Sequence, residues 1–274
     1  MKKVTKIFYT FIYLFLIFLI ILSSLYIINF FESIKEARLQ SELLDTYKNE
    51  ATENIADENS NSENTTNIQN EQTEVESPIQ NERILQVQEI QKGNSDIVGW
   101  LEIPNTNINY PVLQGADNEF YMTHNYKKEK SKNGSIFLTK DYDWTLPSSN
   151  LLIYGHNLGN GAMFQELLEY ESQKYYIEHP TIRFTTSTED AEYEIIAVFK
   201  SRVYYKSEQN VFRYYYFVNA TTEDEYNQFV NNAKQASLYE TNATAEYGDQ
   251  LITLSTCSYH VKDGRFAVVG RKKE

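Results

Sequence analysis

Residues 7–31 constrain this chain before anything else does. The run carries no charged residue, and apart from tyrosines its polar side chains are only Thr10, Ser23, Ser24 and Asn29. A helix crosses a bilayer with about 20 apolar residues, so this run is long enough to span one. Lys2, Lys3 and Lys6 precede it. A basic flank on that side predicts a cytoplasmic N-terminus and places everything after the span outside. A cleaved signal peptide has a shorter apolar core, about 7–15 residues, and ends in small residues. Here the run leaves through Tyr26, Ile27, Ile28, Asn29, Phe30 and Phe31. That bulky exit favours an uncleaved anchor.

The next stretch divides the chain. Residues 32–48 read as a short polar helix. Residues 49–80 are rich in Asn, Glu, Thr and Ser and contain no aromatic side chain. Such a segment cannot bury enough apolar area to offset the cost of ordering, so it reads as a disordered linker. Residues 45–82 hold a net charge of −9 out of −13 for the whole chain. The acidity therefore belongs mainly to the tether. The expected organisation is a basic flank and anchor over 1–31, an acidic polar linker over 32–78 and a folded domain over 79–274. A chain of this charge is poorly suited to holding nucleic acid by its phosphates, and no nucleic-acid partner is expected. Its single cysteine, Cys257, excludes an intrachain disulfide and any zinc site needing two thiolates.

The domain opens with Ile84, Val87 and Ile90 at helical spacing, which predicts a helix over 79–92. Short apolar runs punctuated by turns follow, at 98–103, 108–113, 135–139, 150–154, 181–185, 193–202 and 212–218. Two more lie in the final hairpin. Many short strands with turn signals indicate a closed barrel or a sandwich. Helices are expected at 163–170 and 222–236. The second opens with Thr222 and Glu225 in capping-box spacing and carries Tyr226, Phe229, Val230 and Ala233 on one stripe. That stripe reads as core packing.

Cys257 ends the first strand of the final hairpin. Its residues Leu251, Ile252 and Leu254 alternate with Thr253, Ser255 and Thr256 in the manner of a strand. Asp263-Gly264 signals the turn, and Phe266 to Val269 form the return strand. If Arg265 begins that strand, it faces Cys257 across the pair, with β-carbons about 5 Å apart. The alternative is a buried structural cysteine and a surface arginine, since free cysteines are commonly buried. Among four histidines, His156 stands at the end of the apolar run 151–155 and enters a Gly/Asn loop, where it can line a cleft. His124 and His179 read as solvated surface groups. His260 falls in the turn, where its aim is open. The chemistry open to Cys257, His156 and Arg265 is nucleophilic. A thiolate attacks a carbonyl, the imidazole carries the proton, and the arginine steadies the oxyanion. No acidic third member is evident from spacing.

These residues resemble those of the sortases, membrane-anchored cysteine transpeptidases of Gram-positive bacteria. Thr253-Leu254-Ser255-Thr256-Cys257 reproduces the family's TLxTC motif. Tyr154-Gly155-His156-Asn157 resembles its histidine motif, and Arg265 opens the following strand as in that family. The stretches 96–101 and 108–115, and the extra helix at 222–236, are most similar to class B. The resemblance implies an eight-stranded β-barrel with a few peripheral helices, preceded by one transmembrane helix and a linker. It also implies a thioacyl intermediate on Cys257 and no obligatory cofactor or metal. The implied partners are secreted proteins bearing a C-terminal sorting signal and an acceptor amine of peptidoglycan or, alternatively, of a pilin subunit. By similarity, Ser255 and Asn118 are candidates for touching the sorting signal. Papain-like peptidases place the cysteine before the histidine, whereas here His156 comes first. L,D-transpeptidases place an arginine two residues after the cysteine, whereas Arg265 lies eight after. A non-catalytic surface module with an inert Cys257 is the remaining alternative.

Overall fold

The structure is a computed structural model. It describes residues 11–28, six positions between 31 and 45, and residues 78–274 apart from 147 and 160. The chain divides into two units, Met1–Asp45 and Thr46–Glu274. In the first, α1 (Phe11–Ile28) is an 18-residue helix with a mean hydropathy of 2.8 and side chains exposed along its length. By length and composition it is a candidate membrane span. The basic flank, the polar helix expected over 32–48 and the linker expected over 49–80 fall almost wholly outside the described residues.

In the second unit, α2 (Pro78–Gly93) precedes two strands, β1 (Ile97–Glu102) and β2 (Asn109–Leu113). There follow β3 (Ile136–Leu138), β4 (Asn150–Tyr154), α3 (Gln173–Glu178), β5 (Thr181–Thr185), β6 (Asp190–Arg202), α4 (Glu223–Ala236), β7 (Leu251–Cys257) and β8 (Gly264–Lys272). The strands close into an eight-stranded barrel in the order β1-β2-β3-β4-β7-β8-β6-β5. Two neighbouring pairs, β2–β3 and β4–β7, run parallel, and the others run antiparallel. The barrel with few helices is the architecture that the resemblance implied.

Two apolar layers result from the alternation of side chains along each strand. Leu151, Ile153, Ile252, Leu254, Phe266 and Val268 fill the barrel. Their neighbours Leu152, Leu251, Ala267 and Val269 point outward and pack under α4, against Tyr226, Phe229, Val230 and Ala233. This is the stripe expected from the sequence. Thr222 caps α4, its hydroxyl accepting from the Glu225 N–H at 3.2 Å. The cap satisfies one of the donors that a helix start leaves free.

Two expected elements differ. Residues 212–218 do not form a strand, and Tyr214–Tyr216 is a turn of 3-10 helix. A closed barrel offers no free edge for a ninth strand to pair with. The aromatic rings of this run pack sideways instead, with Phe217 stacked on Phe229 and Tyr214 edge-on to Phe199. The helix expected at 163–170 is a 3-10 helix at Glu166–Glu171 followed by α3. Met163 adopts a left-handed φ of 57° and bridges to Asn157, which delays the start.

Candidate active site

The site forms where β4 and β7 end and β8 begins, on the outer face of the barrel. β4 and β7 run parallel with Tyr154 beside Ser255. β7 and β8 run antiparallel with Cys257 beside Arg265. Alternation then turns Tyr154, Ser255, Cys257 and Arg265 toward the outer layer, in line with Leu152, Ala267 and Val269. A cleft of about 210 Å³ gathers Cys257, His156, Arg265, Ser255 and Asn118, the five residues singled out from the sequence. Met122, Phe137, Tyr154, Gly155 and Thr256 complete its lining.

Glycine at 155 lets β4 deliver His156. A β-carbon there would stand 2.4 Å from Ile136 Cδ1 and 2.6 Å from Phe164 Cδ2. The Gly155 carbonyl accepts from the Thr256 hydroxyl at 2.8 Å, and its N–H donates to the Ser255 carbonyl at 3.1 Å. The strand end is thereby locked to the TLSTC segment. Beyond it, the His156 carbonyl accepts from the Phe164 N–H at 2.9 Å. The Asn157 amide donates to the Cys257 carbonyl at 3.1 Å. Backbone on both sides of the imidazole is thus held by hydrogen bonds of its own.

The ring Nε2 lies 2.7 Å from the Met122 carbonyl. A carbonyl only accepts, so Nε2 carries a proton in this arrangement. A backbone carbonyl thus takes the orienting position that an acid fills in a Ser-His-Asp site. Nothing in the sequence marks Met122 for that place, because it comes from a 3-10 turn, Phe120–Met122, 34 residues upstream.

Arg265 donates to the backbone carbonyls of Gly264 at 3.0 Å and Asp263 at 3.4 Å. Among the described residues no carboxylate pairs with it, so its charge remains available to the cleft. Burial pushes the hydroxyls of Tyr154 and Tyr214 well above the usual tyrosine range, and the nearby Arg265 charge offsets part of that rise. Both tyrosines therefore stay neutral around the thiol. Ser255 is buried, and its hydroxyl meets the Tyr214 hydroxyl at 2.7 Å. Asn118 turns its amide to the segment that follows β3, accepting from the Lys140 N–H at 2.7 Å and donating to the Thr139 hydroxyl at 3.4 Å. Both side chains thus already have protein partners.

The other candidates sit elsewhere. His260 lies in the 258–263 turn with Nδ1 2.9 Å from the Ser258 hydroxyl, outside the cleft lining. His124 is half-buried, stacked on Phe120 with centroids 4.0 Å apart. His179 is half-buried against Tyr175, with Nδ1 3.1 Å from the Pro104 carbonyl. Neither is the solvated group expected, because each ring covers a neighbouring aromatic. Arg271 stands beside Leu251, at the far end of the hairpin. It pairs with Glu194, and with Asp249 at 3.7 Å. Tyr154 and Asn157 were legible as neighbours of His156 in its motif. Met122 and Tyr214 had no signal of their own.

Residues 101–273 match the family model of the sortase domain. The sortase B of Listeria monocytogenes is 36% identical over 190 residues, covering 68% of this chain and 73% of that protein. The sortase B of Staphylococcus aureus is 29% identical over 188 residues, covering 68% of this chain and 74% of that one. The solved L. monocytogenes sortase B superposes with a TM-score of 0.58 at 35% identity, covering 67% of this chain and 98% of that one. The Clostridium perfringens sortase B gives 0.62 at 26% identity, covering 68% and 99%. The chain belongs to the sortase family. Within it the chain is a class B sortase, and so a cysteine transpeptidase.

Proposed function

We propose that this sortase cleaves a C-terminal sorting signal through a thioacyl intermediate on Cys257 and transfers the protein to a peptidoglycan amine. The Cys257 thiolate adds to the scissile carbonyl carbon. The guanidinium of Arg265 stabilises the oxyanion that forms. The C–N bond breaks as His156, protonated, gives its proton to the leaving amine. The acceptor amine then attacks the thioester carbonyl and releases its proton to His156. The C–S bond breaks, and Cys257 leaves as the thiolate. Ser255 and Asn118 border the path of the sorting signal. Ser255 has hydrogen-bonding capacity beyond its one bond to Tyr214.

One observation carries this reading. Cys257 and Arg265 are direct partners across β7 and β8, and His156 lines the same cleft. A cross-strand pair holds a guanidinium within reach of an oxyanion formed at the thiol, without a flexible loop between them. The N-terminal anchor keeps Met1 in the cytoplasm and this cleft outside, where secreted substrates and wall precursors meet. The organisation is an anchor over 1–31, a tether over 32–78 and a catalytic domain over 79–274.

Cys257→Ala should abolish both cleavage and transfer of a cognate sorting peptide while the melting temperature stays unchanged. His156→Ala should remove nearly all turnover, and His260→Ala should leave it intact. Turnover of Cys257→Ala comparable to the parent chain would exclude the cysteine as nucleophile. Loss in His260→Ala with retention in His156→Ala would reverse the histidine assignment.

A further inference from the structure

A second cavity, of about 520 Å³, opens at the opposite end of the barrel from Cys257. It sits where β4 and β7 begin, where β8 ends and where β5 turns into β6. The β7 strand separates the two sites by roughly 20 Å, six steps at about 3.3 Å each. The volume falls in the range of small-molecule sites, about 300–1,000 Å³.

Its floor is apolar and ordered. Leu151, Phe184 and Tyr193 are almost fully buried there. Gln250 bridges two tyrosines over that floor. Its amide donates to the Tyr142 hydroxyl at 2.9 Å, and its carbonyl accepts from the Tyr193 hydroxyl at 3.0 Å. Burial pushes the Tyr142 hydroxyl up to about 12, so this network stays neutral across the physiological range.

The walls are aromatic and open to solvent. Trp144 is 40% exposed and Tyr247 is 50% exposed. Trp144 is nevertheless fixed. Its indole N–H donates to the Gln114 side-chain oxygen Oε1 at 2.8 Å, and its ring meets Tyr142 edge-on at 4.8 Å. Gln114 is anchored in turn by bonds to the Thr139 and Tyr142 carbonyls at 3.0 and 2.9 Å. An indole face this exposed and this firmly held is a preorganised stacking surface.

The rim decides the class of ligand. Glu189 is paired with Lys272, and Asp249 stands 3.7 Å from Arg271. Arg271 is shared with Glu194, but each of these two carboxylates has a cation beside it, so neither stands free to hold an ion. A purely apolar guest would bury these carboxylates and Gln250 without new hydrogen bonds, which is costly. A ligand with one apolar face and a ring of neutral hydroxyls meets both demands. We propose that this cavity is a second binding site, for an uncharged saccharide, with one sugar ring stacked on Trp144 and its hydroxyls bonded to the polar rim. The site is separate from the cleft of Cys257, and its occupancy does not depend on how that cleft works.

The test uses the full chain in phosphatidylcholine vesicles and N,N′-diacetylchitobiose as the probe. The chain has two tryptophans, and Trp100 is only 2% exposed, so a sugar-dependent change in emission reports on Trp144. A saturable emission change is expected, with saturable heat in calorimetry. Trp144→Ala and Tyr247→Ala should each weaken the calorimetric affinity at least about tenfold. Trp144→Phe, which keeps an aromatic face, should retain most of it. Melting temperatures read the fold of each variant separately from binding. Absence of a saturable signal from the folded parent chain would overturn the proposal. So would binding that survives both alanine substitutions, or saturation by trilysine or citrate where the sugar gives none.

Discussion

Gly134→Ala tests whether the Met122 carbonyl holds His156 in place. Gly134 has a φ of 60°, and a β-carbon there would lie 2.6 Å from the Met122 oxygen and 2.7 Å from the Tyr121 oxygen. The left-handed conformation costs a non-glycine residue about 1–2 kcal/mol. The overlap adds to this. Carbon and carbonyl oxygen approach to about 3.3 Å at closest, so the Met122 carbonyl must withdraw by about 0.7 Å. It cannot do so freely, because the Ser135 N–H ties the same turn through the Tyr121 carbonyl at 2.8 Å. Overpacking of this kind costs about 1–3 kcal/mol. A combined loss of about 3 kcal/mol should lower the Tm by about 6–12 °C in a domain of this size. The bond from His156 Nε2 to Met122 is 2.7 Å long. A withdrawal of about 0.7 Å along it would carry the pair beyond the usual hydrogen-bond range of about 2.7–3.2 Å. Misplacement of a reacting group by about 1 Å can cost about 10²-fold in rate. Turnover of a fluorogenic sorting peptide, measured well below the variant's Tm, should therefore fall by about 10-fold to 10²-fold. A lowered Tm with parental turnover would show that His156 does not depend on Met122. An unchanged Tm would refute the packing argument itself.

Arg265→Lys keeps the charge but loses the planar fork of donors, and turnover should fall by about 10²-fold or more, the scale of one oxyanion donor. Arg271→Lys should change turnover by less than about threefold on the same scale, because its partners Glu194 and Asp249 lie at the far end of the hairpin. A crippling Arg271→Lys would overturn the site assignment. Protease added to intact protoplasts should release a soluble catalytic domain by cutting within residues 49–80, and complete protection would refute the orientation. Lys273, then Arg183, holds the Glu192 carboxyl below the usual range. The resulting stability is complete above about pH 4.3, the ordinary glutamate value, and is lost as pH falls through the depressed one. Glu192→Gln should therefore flatten the acid limb of a plot of Tm against pH, and an unaltered limb would exclude this contribution.

The apolar run of α1, the capped helix α4 and the hairpin register were legible from the sequence because each rests on local spacing. Period, capping chemistry and turn length act between neighbours, so Cys257 could be set opposite Arg265 before any contact was known. The TLSTC and YGHN segments carried the catalytic candidates for the same reason. What lay beyond was the direction in which the hairpin faces. β7 is buried on both sides, by the barrel interior and by the α4 layer, so its burial shows no alternation to read. Only closure of the barrel turns Ser255 and Cys257 outward and lays Tyr214 over them. Closure also leaves residues 212–218 without an edge to pair with, which is why an apparent strand packs its rings instead. The Met122 carbonyl reaches His156 across 34 positions through a backbone atom, and a backbone atom leaves no mark in the residue code. Local rules thus named Cys257, His156 and Arg265 as candidates, while long-range packing decided which face they share and what holds the imidazole ring.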